Sequence, residues 1–425
     1  MGFLAPIEMS REEINAFKKK ALQWANTYKV CCCLDSNHYS DPYTQYDCLI
    51  AVGAMDEINA KAGHSFSALR TFYEKHGNWI FGLFGYELKN EIEQLSSSHP
   101  DKLDFPDLFF FVPNYLIALK GEKIEVLIGD PSIVVSISNL ELNVQPLNSE
   151  LNIEGRFSKE SYISTVKKLQ DHIKRGDIYE INFCQEFFAE NAIIDPLSIY
   201  EALNRLSPTP FAGFFKINQQ YILSASPERF LCKRGNRLIS QPIKGTAKRS
   251  DNPFEDEKIK IDLKSSIKEQ AENVMIVDLV RNDLTKSAIK GTVEVDELFG
   301  IYSFPQVHQM ISTISCELSP ETHFMDAIKN AFPIGSMTGA PKIKAMQLID
   351  QYEQSKRGTF SGSFGCISPE GDFDFNVIIR SILYNAEQKY LSFQVGGAIT
   401  FASKPEEEYE ECLLKASAIL QVLRQ

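Results

Sequence analysis

FAGFFKINQQYILSASPERFLCKRGNRLISQPIKGTAKR, residues 211–249, decides the fold. FAGFFKI and YILSASP flank Asn218-Gln219, and RFLCK and RLISQPIKG flank Arg234-Gly235-Asn236. Two apolar runs joined by a few turn-forming residues read as a β-hairpin. Hairpins join antiparallel neighbours, whereas parallel strands need a crossover, usually a helix. Downstream, SGSFGCIS and FDFNVIIRSIL flank Pro369-Glu370-Gly371-Asp372 in the same way. The chain therefore lacks the regular strand–helix alternation of a parallel α/β sheet.

Upstream, short apolar or aromatic runs continue the pattern: VCCCLDS, DCLIAVGA, WIFGLFGYEL, LFFFVPNYLIAL and KIEVLIG, between Tyr28 and about Pro146. Helical periodicity predicts helices over 10–27, with Ser10 as N-cap, and over 158–175, closed by Gly176-Asp177. Further helices are expected at 255–283, 321–331, 341–352 and 405–424. The fold class is α+β, with large antiparallel sheets and peripheral helices. A polar stretch with Gly155, Asn148 to Arg156, reads as a connector between an N-terminal region, 1–150, and a second region, 151–425.

At 425 residues the length prior suggests two or three domains. The formal net charge of -12 excludes wrapping of nucleic acid or coating of an anionic membrane. No apolar run is long enough to span a bilayer, and the first residues do not read as a signal peptide. The nine cysteines are odd in number and scattered, which fits reduced thiols in the cytoplasm.

Two helices carry ExxE. Glu269 and Glu272 share one face, and so do Glu408 and Glu411, with Lys415 four residues further on. If the helices face each other, four carboxylates converge. A cation such as Mg²⁺, which takes a few carboxylates plus water and substrate oxygens, would relieve their repulsion. On spacing alone, two solvated acidic faces explain the same pattern. Lys244 lies in a Gly-Thr turn, Lys244-Gly245-Thr246, as a surface charge or a site residue. At its ordinary pKa only about 0.04% of such a lysine is neutral at pH 7, so a nucleophile needs desolvation or a neighbouring cation. Glu228, after an apolar strand, is either a general acid raised by burial or the partner of Arg229. GSMTGAPK, 335–342, fails the spacing of a phosphate loop, and Pro341 reads as the first residue of a helix. His308 sits in an apolar segment, and Arg380 ends an apolar strand, where it needs an anionic partner. Gly396-Gly397-Ala398 ends another strand, where a ligand can approach the backbone.

Ten motifs taken together carry a resemblance: GDIYEINFCQ, SASPERF, PIKGTAKR, ENVMIVDLVRNDL, VHQMIST, FPIGSMTGAPKIKAM, SGSFGCIS, IIRS, VGGAI and EEEYEECLLKA. In this order they resemble the chorismate-utilising enzymes, which include anthranilate, aminodeoxychorismate, isochorismate and salicylate synthases. The resemblance implies one intertwined α+β unit, a sandwich of antiparallel sheets with the active site between them. It implies Mg²⁺ as cofactor, with Glu272 and Glu411 as direct ligands and Glu269 and Glu408 holding metal-bound water. It implies that Gly245, Thr246, Arg380, Gly396, Gly397, Ala398 and Lys415 surround substrate carboxylates, with His308 beside the ring.

Lys244 within PIKGT is similar to the pattern common in aminodeoxychorismate synthases, where anthranilate synthases generally have PIAGT. The resemblance implies that Lys244 attacks ring carbon C2, that Glu228 is the general acid, and that ammonia enters at C4. Isochorismate and salicylate synthases have a lysine where Glu180 stands. Glu180 itself replaces a common glutamine, Phe360 a tyrosine and Ala398 a glycine. LDSNHYSDPYTQYD, 34–47, resembles a tryptophan-binding segment, with matching positions Ser36, Tyr43, Thr44, Gln45, Tyr46, Pro210, Phe211 and Ala212. No glutaminase or lyase segment is visible, so a separate amidotransferase subunit is the expected partner, with free ammonia as the substitute. Anthranilate synthase component I and a non-catalytic chorismate- or tryptophan-binding subunit are the alternatives.

Overall fold

A computed structural model describes residues 6–143, 151–305 and 307–424. The Asn148–Glu150 part of the expected connector lies outside them. Twenty strands join through hydrogen-bonded ladders into one network, and every pairing described is antiparallel. The hairpins at 218–219 and 235–236 form as the sequence predicts. Asn218 and Gly235 turn them with φ of 54° and 58°.

Early strands pair directly with late ones. Val30–Asp35 lies against Phe211–Ile217, and Ile80–Phe84 against Ser363–Ile367. Alternate residues of Val30–Asp35 serve two different cores. Val30 and Cys32 join a phenylalanine-rich core, while Cys31 and Cys33 join a second core lined by helices. Leu49 and Ala51 divide from Cys48, Ile50 and Val52 in the same way. Burial on both faces explains the unbroken apolar runs, because no face is left for polar residues. The first core is filled by side chains of the strands and of helices such as Ser65–His76, with Phe84, Phe110 and Phe375 in tilted and edge-on contact. Helices Arg11–Asn26, Lys159–Lys174, Pro196–Leu206 and Pro405–Leu423 cover the second. All nine cysteines are buried and free. No helix among the described residues is long and apolar enough to cross a membrane.

Three expectations need correction. The helix expected at 255–283 is two helices, Pro253–Ser265 and Ile267–Thr285. Ser266 ends the first and caps the second, its hydroxyl accepting from the Glu269 N–H. FDFNVIIRSIL is likewise broken, into Phe373–Asn376 and Ser381–Asn385. Arg380 precedes the second strand with φ of 52°, a left-handed conformation that no continuous strand contains. Pro341 stands one residue before the helix Lys342–Tyr352, as its N-cap.

One buried ion pair links the pieces that later matter. Arg357 donates to both Glu353 carboxylate oxygens, at 2.9 and 2.7 Å. Its remaining N–H groups reach the carbonyls of Met337 and Asn182, at 2.6 and 2.8 Å, and the Ser361 hydroxyl at 3.2 Å. Glu353 in turn accepts from the Cys184 N–H at 2.9 Å. The pair thus fastens the strand Glu180–Ala189 to the Gly335–Met337 turn. Arg357→Met should strand a buried carboxylate and two carbonyls, at a cost of about 3–5 kcal/mol. Urea unfolding should show this as a lowered midpoint at unchanged slope.

Candidate active site

The strand Ile243–Lys248 pairs with Val307–Glu317, with Ile243 opposite Ile311 but Thr246 opposite Gln309. One extra residue is thus held on the first strand, a β-bulge at Lys244–Gly245. Gly245 supplies the required φ of 91°. The bulge turns Lys244 inward, and it is 9% exposed. Its Nζ donates to Glu180 Oε1 at 2.6 Å. Burial is the largest single effect and lowers the lysine pKa, but the charge and hydrogen bond of Glu180, with the charges of Glu272 and Glu228, together outweigh it, so the net direction is up.

Glu228 follows the strand Gln220–Ser226, which Pro227 ends. It is buried, and it does not pair with Arg229, whose guanidinium goes to Asp374 and Asp41. Its partner is Ser336, whose Oγ donates to Glu228 Oε1 at 2.6 Å. Burial pushes the Glu228 carboxyl up to about 7, against the opposing effects of Ser336 and Lys244.

The two ExxE helices do converge. Lys268 Nζ stands 3.9 Å from both Glu272 Oε1 and Glu408 Oε1, bridging one helix to the other. A Cβ on Gly245 would lie 3.0 Å from Glu269 Oε2. One on Gly397 would lie 3.4 Å from Glu408 Oε2, 3.5 Å from Lys415 Nζ and 3.6 Å from Glu411 Oε1. A methyl at 245 would press on Glu269, whereas one at 397 would sit at ordinary contact distance beside Glu408, Glu411 and Lys415. Lys415 donates to the Gly396 carbonyl at 2.9 Å and pairs with Glu411 at 2.7 Å. Gly396, Gly397 and Ala398 pair with Cys184, Phe183 and Asn182.

These carboxylates differ in charge tendency. Burial pushes Glu272 up to about 7, although Lys244 and Lys268 hold it back. It also raises Glu269 and Glu408. Lys415 holds Glu411 below the usual range. Glu272 Oε1 is buried without a hydrogen-bond partner. An orphaned carboxylate oxygen within an all-oxygen donor set suits a hard divalent cation. Among the described residues no three acidic, histidine or cysteine side chains form a ready metal group. Mg²⁺ does not demand one, since it keeps several waters and takes substrate oxygens.

Arg380 donates to the Lys415 carbonyl at 3.2 Å, and no acidic side chain pairs with it among the described residues. Burial pushes its pKa down. Such a cation leaves a place for an anion. His308 is buried with both ring nitrogens engaged, Nδ1 with Ser303 Oγ at 2.8 Å and Nε2 with Asp256 at 3.0 Å. Asp256 is held low, first by Arg249. His308 lies opposite Ala247, next to Thr246, whose side chain is exposed. Phe360 is buried.

A second pocket gathers seven of the eight predicted tryptophan-binding positions: Ser36, Thr44, Gln45, Tyr46, Pro210, Phe211 and Ala212. Tyr43 stands beside it, its carbonyl accepting from Arg234 Nε at 2.7 Å. Trp79 and the Arg229–Asp374 pair complete the wall. The Ser36 hydroxyl is buried without a partner. Sequence reasoning missed Trp79, Ser336, Lys268 and the Lys244–Glu180 contact. Only Ser336 carried a local signal, inside the Gly-rich segment 335–342.

Residues 29–421 match the family described as chorismate binding enzyme. Aminodeoxychorismate synthase component 1 of Escherichia coli K12 is 34% identical over 347 residues, 80% of this chain and 76% of that protein. The probable chloroplastic aminodeoxychorismate synthase of Oryza sativa subsp. japonica is 36% identical over 398 residues, and the match takes in 83% of this chain and 44% of that longer protein. Among solved structures, anthranilate synthase component I of Streptococcus pneumoniae TIGR4 superposes with a TM-score of 0.77 at 26% identity, covering 90% of this chain and 93% of its own.

The raised Glu272 carboxyl makes cation binding compete with a proton. Below about pH 7 the proton wins, and above it the carboxylate is free. Mg²⁺ affinity measured by calorimetry should therefore be about tenfold tighter at pH 8 than at pH 6. Glu272→Gln should abolish that pH dependence.

Proposed function

The chain belongs to the chorismate-binding enzymes, and from that membership we propose that it aminates chorismate at C4. The product is 4-amino-4-deoxychorismate, the precursor of p-aminobenzoate and folate, and water leaves. The observation that carries the reading is Lys244, buried at a bulge and near enough to the buried Glu228 for their charges to act on one another.

Glu228, with a pKa of about 7, is about half protonated at neutral pH and suits a general acid. Its proton goes to the departing 4-hydroxyl as Lys244 Nζ bonds C2. Ammonia then bonds C4, and the C2–N bond breaks to free the lysine. Arg380, lacking an acidic partner, takes a substrate carboxylate. Lys415 and the backbone of Gly245, Thr246, Gly396, Gly397 and Ala398 line the same anion. His308, held by Ser303 and Asp256, supports the wall beside the ring and has no ring nitrogen free for proton transfer. Glu272 and Glu411 would hold Mg²⁺ directly, and Glu269 and Glu408 through water. That ion would neutralise the ring carboxylate and draw an anion into an acidic site. The ammonia comes from a separate glutamine amidotransferase subunit, or from ammonium salts in its absence.

Incubation with chorismate, Mg²⁺ and ammonium should yield 4-amino-4-deoxychorismate by chromatography and mass spectrometry. Anthranilate as the sole amine product would overturn the reading in favour of anthranilate synthase chemistry. Chorismate binding without turnover, even with an amidotransferase present, would make it a regulatory subunit. Lys244→Ala should lose C4 amination while still binding chorismate in the presence of Mg²⁺.

The second pocket is assigned to tryptophan. Its aromatic wall suits an indole, and the unpartnered Ser36 hydroxyl suits a polar end. Calorimetry with L-tryptophan should show one saturable site, weakened about fivefold by Ser36→Ala.

A further inference from the structure

The amination scheme leaves one buried side chain without a role. Glu180 is 1% exposed and begins the strand Glu180–Ala189. Its Oε1 accepts from Lys244 Nζ, and its Oε2 is buried with no hydrogen-bond partner. Glu228, Glu269, Glu272 and Glu411 also act on this lysine through their charge, but its one hydrogen bond is to Glu180.

A lysine so held is an ammonium and has no lone pair to offer. It becomes a nucleophile only by losing a proton. The hydrogen bond to Glu180, 2.6 Å long, is the shortest route for that proton. Burial disfavours the charged form of Lys244, and substrate that displaces water strengthens that effect.

We propose that Glu180 is a catalytic residue, the base that takes a proton from Lys244 Nζ as this nitrogen bonds C2 and returns it when that bond breaks. The proposal rests on the C4-amination reading and adds to it the identity of the base. Proton transfer first converts the ammonium and carboxylate to amine and acid. The amine lone pair then forms the C2–N bond, the two conjugated ring double bonds shift in turn, and the C4–O pair leaves with the Glu228 proton as water. Ammonia next bonds C4, both double bonds shift back, and the C2–N pair returns to the lysine. Lys244 recovers its proton from Glu180, and Glu228 recovers one from the new C4 ammonium. The balance is chorismate plus ammonia giving the amine plus water.

Glu180→Gln keeps the shape and cannot accept the proton, whereas Glu180→Asp keeps a carboxylate. Both are assayed with chorismate, Mg²⁺ and ammonium, alongside thermal melts. Glu180→Gln should lower kcat about 100-fold while the KM for chorismate stays within about twofold, and Glu180→Asp should restore most of kcat. A purely structural role would instead move KM or the melting temperature. A Glu180→Gln kcat within about twofold of wild type, or above it, overturns the proposal. If that variant melts early, the aspartate variant decides: a folded protein with kcat as low as about 100-fold below wild type overturns it, and a retained kcat supports it. Wild-type product separates the two levels. With no 4-amino product the amination reading itself falls, and with product present only the role of Glu180 is at stake.

Discussion

Six carboxylates gather around one site: Glu180, Glu228, Glu272 and Glu408 are buried, Glu269 is half-buried, and Glu411 stands at the exposed rim. A buried carboxylate must find a cation, find a hydrogen bond or take a proton. Each of the six shows one of these outcomes. Glu180 has Lys244, Glu411 has Lys415, and Glu228 has the Ser336 hydroxyl with a raised pKa. Glu272 and Glu408 share one distant ammonium, that of Lys268, and Glu269 is raised by burial. The unequal supply of cations leaves Glu269, Glu272 and Glu408 as the unsatisfied end of the site. The same imbalance gives two glutamates pKa values near neutrality.

Such crowding demands a rigid frame, because small displacements change each charge interaction. The Arg357–Glu353 pair supplies part of it, holding the strand that carries Glu180 to the turn that carries Ser336. The break at Ser266 supplies another part. It starts a new helix, so that Glu269 and Glu272 stand in its opening turns beside Gly245. Residues from the early and late parts of the chain meet through ladders such as Ile80–Phe84 with Ser363–Ile367.

Much of this was legible in the sequence, for a physical reason. Hairpin turns and N-caps are local, so Asn218, Gly235 and Ser10 announced themselves, and Ser10 forms a capping box with Glu13. The ExxE spacing also showed which carboxylates share a face. The helix Ser65–His76 was missed because it lies among strand-like runs and lacks a side-chain N-cap. The break at Arg380 escaped because an apolar run does not reveal where backbone leaves a ladder. Contacts distant in sequence were invisible without the fold: Lys244 with Glu180 across 64 positions, and Ser336 with Glu228 across 108. The resemblance named residues for the metal and substrate, but the pairing between Lys244 and Glu180 belongs to geometry alone.

The strand Val30–Asp35, whose alternate side chains feed two cores, has a consequence for how such a chain can diverge. Inserting or deleting one residue there would exchange the occupants of the two cores at every following position of the strand. Cys32 would enter the helix-lined core and Cys33 the phenylalanine-rich one, with no solvent face to absorb the error. In this two-sided strand, which carries no bulge, change comes by substitution and not by length. A lineage carrying this architecture keeps its strand lengths even as side chains drift, and its catalytic groups inherit fixed spacing from that arithmetic.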